Sequence, residues 1–133
     1  MEEFLIDHHE WMRQAEYDLE TAEIIFERGR YIHAVFMCHL AVEKSLKAYF
    51  FFKFSEDPPK THNLLYLAKQ TELDLPNELS TYVDALSTLS VPTRYPSDLR
   101  SMMKDYDNTK TRSTLDKGSE VITWIKELLI KKS

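Results

Sequence analysis

Apolar side chains near the N-terminus repeat every three to four residues, the spacing that places them on one face of an α-helix. They are Trp11, Ala15, Leu19, Ala22 and Phe26. Asp7 and Glu10 precede this stripe at the spacing of a capping box, and Gly29 supplies a stop. The pattern predicts a first helix over residues 10–28.

The following segment predicts the longest helix, over residues 31–54. One stripe of it is apolar, and three alanines allow a neighbouring helix to approach: Val35, Val42, Leu46 and Tyr49, with Ala34, Ala41 and Ala48. Pro58 and Pro59 are expected to terminate this helix, because proline disfavours helical backbone before it.

Later helices have shorter signals. Thr61 is placed to cap a short helix in HNLLYLAKQT, and Pro76 stands in the first turn of a helix in NELSTYVDALSTLS. After a polar interval, Asn108 or Thr109 is placed to cap a last helix, whose end is rich in lysine. These elements predict an all-α fold, an antiparallel four- to five-helix bundle, in which residues 1–133 form a single domain.

Composition excludes several classes of protein. The chain has 133 residues, only two of them glycine, and a net charge of −5, which argues against general coating of nucleic acid. The longest apolar run, AYFFF, is too short to span a bilayer. The acidic N-terminus does not resemble a secretory signal. We therefore expect a cytoplasmic protein with no membrane partner.

The sequence predicts no metal or redox cofactor. Cys38 is the only cysteine and lies in an apolar run, so we expect it in the core and not in a disulfide. The five histidines form neither an H-x-x-x-H nor an H-E-x-x-H pair, the spacings at which a helix presents two ligands to zinc.

A polar ribbon interrupts the apolar second helix. His39, Glu43 and Lys47 are spaced at i, i+4 and i+8, so they share one face. They form either a solvated edge with local ion pairing or the lining of a buried cleft. Lys44 lies one position round the helix and is expected to face solvent.

Two loops carry further candidates for ligand binding. In EDPPKTHNL, Lys60 and His62 lie at the start of a predicted helix, where they are either surface residues or part of an anion site. In VPTRYPSDLR, flanking prolines fix the backbone around Arg94 and Tyr95. That pair either stacks on and neutralises a nucleotide or forms a clamp, with Arg94 bound to Glu43 and Tyr95 covering the end of the bundle.

With HLAVEKSLKAYFF, PPKTHNLLYL and VPTRYPSDL in this order, the chain resembles a HEPN domain, a family named for nucleotide binding in higher eukaryotes and prokaryotes. The matching positions are Ala41, Glu43, Lys44, Leu46, Lys47, Ala48, Thr61, His62, Leu64, Arg94, Tyr95 and Pro96. The resemblance implies a helical bundle, commonly a homodimer, with a polar cleft near the dimer interface. The chain departs from the family at His39 and Leu40, where glutamines are frequent.

Members of this family include metal-independent ribonucleases and toxins that use an arginine and a histidine four to six residues apart near the last helix. No histidine follows Arg94, Arg100 or Arg112, and the one literal match, Arg28 to His33, lies between the first two helices. The ribonuclease motif is therefore absent from the expected place. Other members are partners of a small nucleotidyltransferase.

Three functions remain open at this point. The leading hypothesis is a homodimer that binds a nucleotide or RNA in its cleft and acts with a nucleotidyltransferase partner, as in toxin–antitoxin systems. The ligand-binding residues would be Glu43, Lys44, Lys47, Lys60, His62, Arg94 and Tyr95. The alternatives are an atypical endoribonuclease that uses His62 and Arg94, and a non-catalytic dimeric scaffold. The dimer is expected because Trp11, AYFFF and Trp124 offer more apolar surface than a small bundle hides.

Overall fold

The computed structural model describes residues 6–89 and 96–131, and within these ranges the chain forms six helices and no strand. The helices are α1 (His8–Glu27), α2 (Tyr31–Phe54), α3 (Leu64–Gln70), α4 (Asn77–Ser87), α5 (Pro96–Asp105) and α6 (Asn108–Lys131). The predicted all-α bundle is confirmed, with one helix more than expected. Across these two ranges, no helix is both long and apolar enough to cross a bilayer.

The first two helices form an antiparallel hairpin that packs along its length. Asp7 caps α1 as predicted, because its Oδ1 accepts a hydrogen bond from the Glu10 amide at 3.1 Å. At the other end the Gly29 amide donates to the Phe26 carbonyl at 2.9 Å, and Gly29 takes a φ of 75° that favours glycine. The predicted bounds of α1 are right to within two residues.

Helix α2 lies at the centre of the bundle, where α1, α3, α5 and α6 all contact it. Its bounds match the predicted 31–54, and 14 of its 24 residues are buried. The reason for its end differs from the prediction. Ser55 adopts a left-handed backbone with φ of 54°, and its amide donates to the Phe51 carbonyl at 2.8 Å, so the helix ends at Phe54, four residues before Pro58.

The predicted cap of α3 is wrong by two residues. Asn63 is the N-cap, and its Oδ1 accepts from the Tyr66 amide at 3.0 Å. Thr61 instead accepts from the Asn63 amide at 3.1 Å, which makes a local turn before the helix. Pro76 occupies the N-cap of α4 and not its first turn; its carbonyl accepts from the Ser80 amide.

The polar interval of the sequence contains α5, which was not predicted. This helix has few apolar residues, and its Met103 side chain is exposed. The predicted cap of α6 is also wrong, because Asp107 accepts from the Lys110 amide at 2.8 Å. Asn108 is engaged elsewhere, since its side-chain amide donates to the Tyr31 hydroxyl at 2.9 Å.

Helix α6 packs closely on α2 at Gly118. A Cβ atom at this position would lie 2.5 Å from Cys38 Sγ and 3.0 Å from the Tyr82 hydroxyl. Cys38 is fully buried, as predicted, and burial raises the pKa of its thiol to about 11. The thiol therefore stays protonated and serves as a small core group.

Candidate functional site

A buried carboxylate with two partners lies at the centre of the candidate site. Glu43 is only 4% exposed, and each of its oxygens has a different partner. Oε2 accepts a hydrogen bond from Lys47 Nζ at 3.0 Å, and Oε1 lies 2.8 Å from His62 Nδ1. We call Glu43, Lys47 and His62 the Glu43 cluster. Since two of its members lie on the polar ribbon and are buried, the solvated-edge interpretation of that ribbon is wrong.

His62 reaches the cluster from the loop before α3. The next residue, Asn63, caps α3 and also accepts from the Ser87 hydroxyl at 3.3 Å, so it holds the end of this loop. A carboxylate only accepts, so Nδ1 of His62 carries the proton it donates to Glu43, and Nε2 keeps its lone pair in the neutral ring. The His62 side chain is 53% exposed, so this oriented imidazole borders solvent.

Lys47 is held between the carboxylate and an aromatic ring. Its Nζ lies 5.6 Å from the ring centroid of Trp11, on α1, in addition to its bond to Glu43. The Lys47 side chain is only 9% exposed. Its ammonium group is therefore fixed in position, and it can offer its remaining donors to a ligand without a large loss of side-chain entropy.

Lys44 has a different environment from its neighbours in sequence. Its Nζ lies 2.8 Å from Asp18 Oδ2 on α1, and its side chain is 25% exposed. It is thus half-buried and paired, which differs from the expectation that it faces solvent. The ion pair links α1 to α2 on a face adjacent to the Glu43 cluster.

Of the remaining predicted ligand-binding residues, the structure describes only Lys60. Lys60 is exposed, two residues before His62. Arg94 and Tyr95 fall outside the described residues. The structure therefore brings together Glu43, Lys47 and His62, with Lys60 on the same loop as His62.

Sequence reasoning missed the importance of His39. This residue lies one turn before Glu43 on α2, is fully buried, and has no hydrogen-bond partner for either ring nitrogen among the described residues. Burial lowers the pKa of the His39 ring to about 4, although the charge of Glu43 acts to raise it. The ring is therefore neutral at pH 7. The signal in the sequence was its position on the polar ribbon, which left its burial undecided.

A groove of about 630 Å³ lies elsewhere, between α1 and α6. His8, His9, Tyr17 and Leu129 are among its lining residues, and none of the Glu43 cluster is. Its charges are partly paired, since Lys126 Nζ lies 3.0 Å from Glu16 Oε2. Among its described lining residues, this groove has no buried charged side chain comparable to Glu43, so we place the candidate functional site at the Glu43 cluster.

Within residues 6–89 and 96–131, no three histidine, cysteine or acidic side chains are arranged to hold a metal ion. The groups that the Glu43 cluster offers are a carboxylate, an ammonium and an imidazole. Such a set can bind anions and move protons.

Comparison with known proteins gives a consistent result. The family model of the HEPN domain matches residues 8–128. The crystal structure of ST0689, an archaeal HEPN homologue, is 20% identical with a TM-score of 0.76, covering 94% of this chain and 99% of that one. The crystal structure of TT1696 from Thermus thermophilus is 23% identical with a TM-score of 0.76, covering 90% and 96%. At these identities the likeness shows the fold alone. No curated protein matches the chain.

Proposed function

Because this chain belongs to the HEPN domain family, we propose that it binds a nucleotide or an RNA end at the Glu43 cluster and acts with a nucleotidyltransferase partner. The observation that carries the proposal is the buried Glu43 carboxylate, which holds Lys47 and His62 at 3.0 and 2.8 Å. Burying a carboxylate removes its hydration and costs free energy, a cost that ion pairs on the protein surface do not incur.

In this proposal, one residue of the cluster positions the other two, and those two contact the ligand. Glu43 positions Lys47 and His62, whose free donor and acceptor atoms bind the ligand. Lys60 adds positive charge from the exposed loop. Arg94 would neutralise phosphate and Tyr95 would stack on a base, as expected from the sequence. Lys44 contributes through its pair with Asp18, which fixes α1 beside the site.

We also propose that the protein forms a homodimer. The residues first expected at the interface are largely covered within one chain, since Phe50 is buried and Trp11 and Trp124 are half-buried. The exposed apolar residues of α1 are better candidates, namely Tyr17 at 69% and Ile24 at 61% exposure. Light scattering of the wild type and of Tyr17→Glu tests this: a monomeric wild type contradicts the dimer.

One observation favours a second function, metal-independent RNA cleavage. The Nδ1 of His62 is bound to Glu43, which is how a carboxylate orients a histidine for general acid–base catalysis. Cleavage of single-stranded RNA in the presence of EDTA tests this function. Loss of cleavage in His62→Gln, with activity kept in His33→Gln, supports it, because His33 is an exposed histidine of the same helix bundle. No cleavage by the wild type excludes it.

The binding proposal is tested by calorimetric titration with AMP, ATP and a short single-stranded RNA. His62→Gln and Lys47→Gln are expected to weaken binding by about tenfold or more, because the first removes the imidazole that borders the ligand and the second removes an ammonium donor. Arg94→Ala should weaken binding similarly and leave the melting temperature nearly unchanged. His33→Gln is the matched control and should bind as the wild type does. The proposal fails if none of the three probes binds the wild type.

A further inference from the structure

The cluster has an inner neighbour that the proposed binding does not use. His39 lies on the same face of α2 as Glu43, one turn earlier, and has no exposed surface. Burial lowers the pKa of its ring, while the nearby charge of Glu43 opposes that shift and His62 adds to it. His62 is the exposed member of the three and His39 the most deeply buried.

His39 is also unpaired. Among residues 6–89 and 96–131, neither Nδ1 nor Nε2 has a hydrogen-bond partner. Most buried polar groups in proteins are hydrogen-bonded, because leaving one unpaired costs free energy of folding. A leucine of similar size would avoid that cost. Beside a candidate site, such an unpaired buried group is one to which a ligand can supply the missing partner.

We propose that His39 is a specificity-determining residue, which hydrogen-bonds the edge of a nucleobase that enters the Glu43 cluster. This inference rests on the proposed nucleotide binding. One nitrogen of the neutral imidazole donates and the other accepts, which is the kind of pairing that base edges offer. Because His39 is fully covered in this structure, the base must displace the covering side chains as it binds.

The chemistry of the residues around His39 favours a base over the other parts of a nucleotide. A neutral imidazole supplies no charge to neutralise a phosphate, which Lys47 and Lys60 can do instead. Val35, Val42 and Leu46, which lie four residues before, three after and seven after His39 on α2, are fully buried. The aromatic faces of a base tolerate such surroundings, and its polar edge can pair with His39, whereas a ribose would bring hydroxyls that each need a partner.

The test compares three probes on wild type and two variants by calorimetric titration. The probes are AMP, ribose 5-phosphate and inorganic phosphate, and the variants are His39→Leu and His39→Gln. We expect His39→Leu to weaken AMP binding by about tenfold or more and to leave the binding of the other two probes unchanged. His39→Gln keeps a donor and an acceptor, so it should retain most of the AMP affinity. His33→Leu, an exposed histidine of α2, is the control.

A second measurement separates recognition from a structural role. Without ligand, His39→Leu should melt at a higher temperature than the wild type, because an unpaired polar group is removed from the interior. Wild-type affinity for AMP in His39→Leu overturns the inference, as does equal weakening for AMP and ribose 5-phosphate, or a lower melting temperature in both His39 variants. If the wild type binds no AMP, this inference fails; the proposed function fails with it only if ATP and the short RNA do not bind either.

Discussion

Lys47→Met is the most informative single substitution for the physics of the cluster. Methionine keeps the length and apolar body of the side chain and removes the ammonium group. Lys47 and Glu43 are 8% and 4% exposed, so their ion pair is screened little by water. Removing one partner of a buried pair costs about 3–5 kcal/mol. The exposed His62 still faces the Glu43 carboxylate, so we expect the lower end, about 3 kcal/mol.

That loss is large for a protein of this size. At about 2.1 cal/mol/K of unfolding entropy per residue, 3 kcal/mol lowers the melting temperature of a 133-residue domain by about 11 °C. The double variant Lys47→Met with Glu43→Gln should recover at least half of the loss, because no charge is left stranded. Urea melts followed by circular dichroism at pH 7 measure both variants.

Lys44→Met is the matched control, because it removes an ion pair of the same helix that is more accessible to solvent. The side chains of Lys44 and Asp18 are 25% and 11% exposed. Lys44→Met should cost about 1–2 kcal/mol, between a surface and a buried pair. The reasoning is refuted if Lys47→Met costs no more than Lys44→Met, or if the double variant is as unstable as Lys47→Met alone.

Four further predictions concern other parts of the fold. Burial lowers the pKa of His39 to about 4, so between pH 4 and 6.5 the unfolded chain binds more protons than the folded one. The free energy of unfolding should therefore be highest above pH 6.5 and fall by up to about 3 kcal/mol towards pH 4. Urea melts of His39→Leu should lack this pH-dependent contribution. Gly118→Ala should destabilise by about 1–2 kcal/mol in urea melts, and Cys38→Ala in the same chain should relieve part of the loss; a Gly118→Ala variant as stable as wild type contradicts the close packing. Asp7→Ala should cost about 1 kcal/mol through loss of the α1 cap, while the exposed Asp57→Ala costs almost nothing by the same assay. A chelator should leave the melting temperature unchanged, and a clear drop would reveal a structural metal.

The sequence predicts the fold best where interactions between residues close in sequence determine the structure. The Asp7 cap and the Gly29 turn set the α1 and α2 hairpin, and both act within a few residues. Helix α5 shows the opposite case, because its few apolar residues make a weak pattern. Asn63 and not Thr61 caps α3, and the oxygen that makes this cap also accepts a hydrogen bond from Ser87 on α4, a contact that the local sequence does not reveal.

The same distinction between local and long-range contacts applies to the candidate site. The spacing of Glu43 and Lys47 predicts that they can pair, and they do. The bond from His62 to Glu43 joins residues 19 apart in sequence, and the Lys44 pair depends on how α1 packs against α2. Neither follows from helical periodicity. Burial of the polar ribbon also depends on tertiary packing, so the spacing alone left both interpretations open.

The central position of α2 has a consequence for how the site fluctuates. All of residues 41–50 are buried except the half-buried Lys44, and four helices pack around α2. Backbone amides in such a segment exchange their hydrogens mainly when the whole domain opens, whereas exposed loops open on their own. The α2 part of the site is thus a rigid template. Lys60 and His62 are exposed on the loop before α3, so we expect this loop, and not the helix, to open locally and to set the rates of ligand entry and exit.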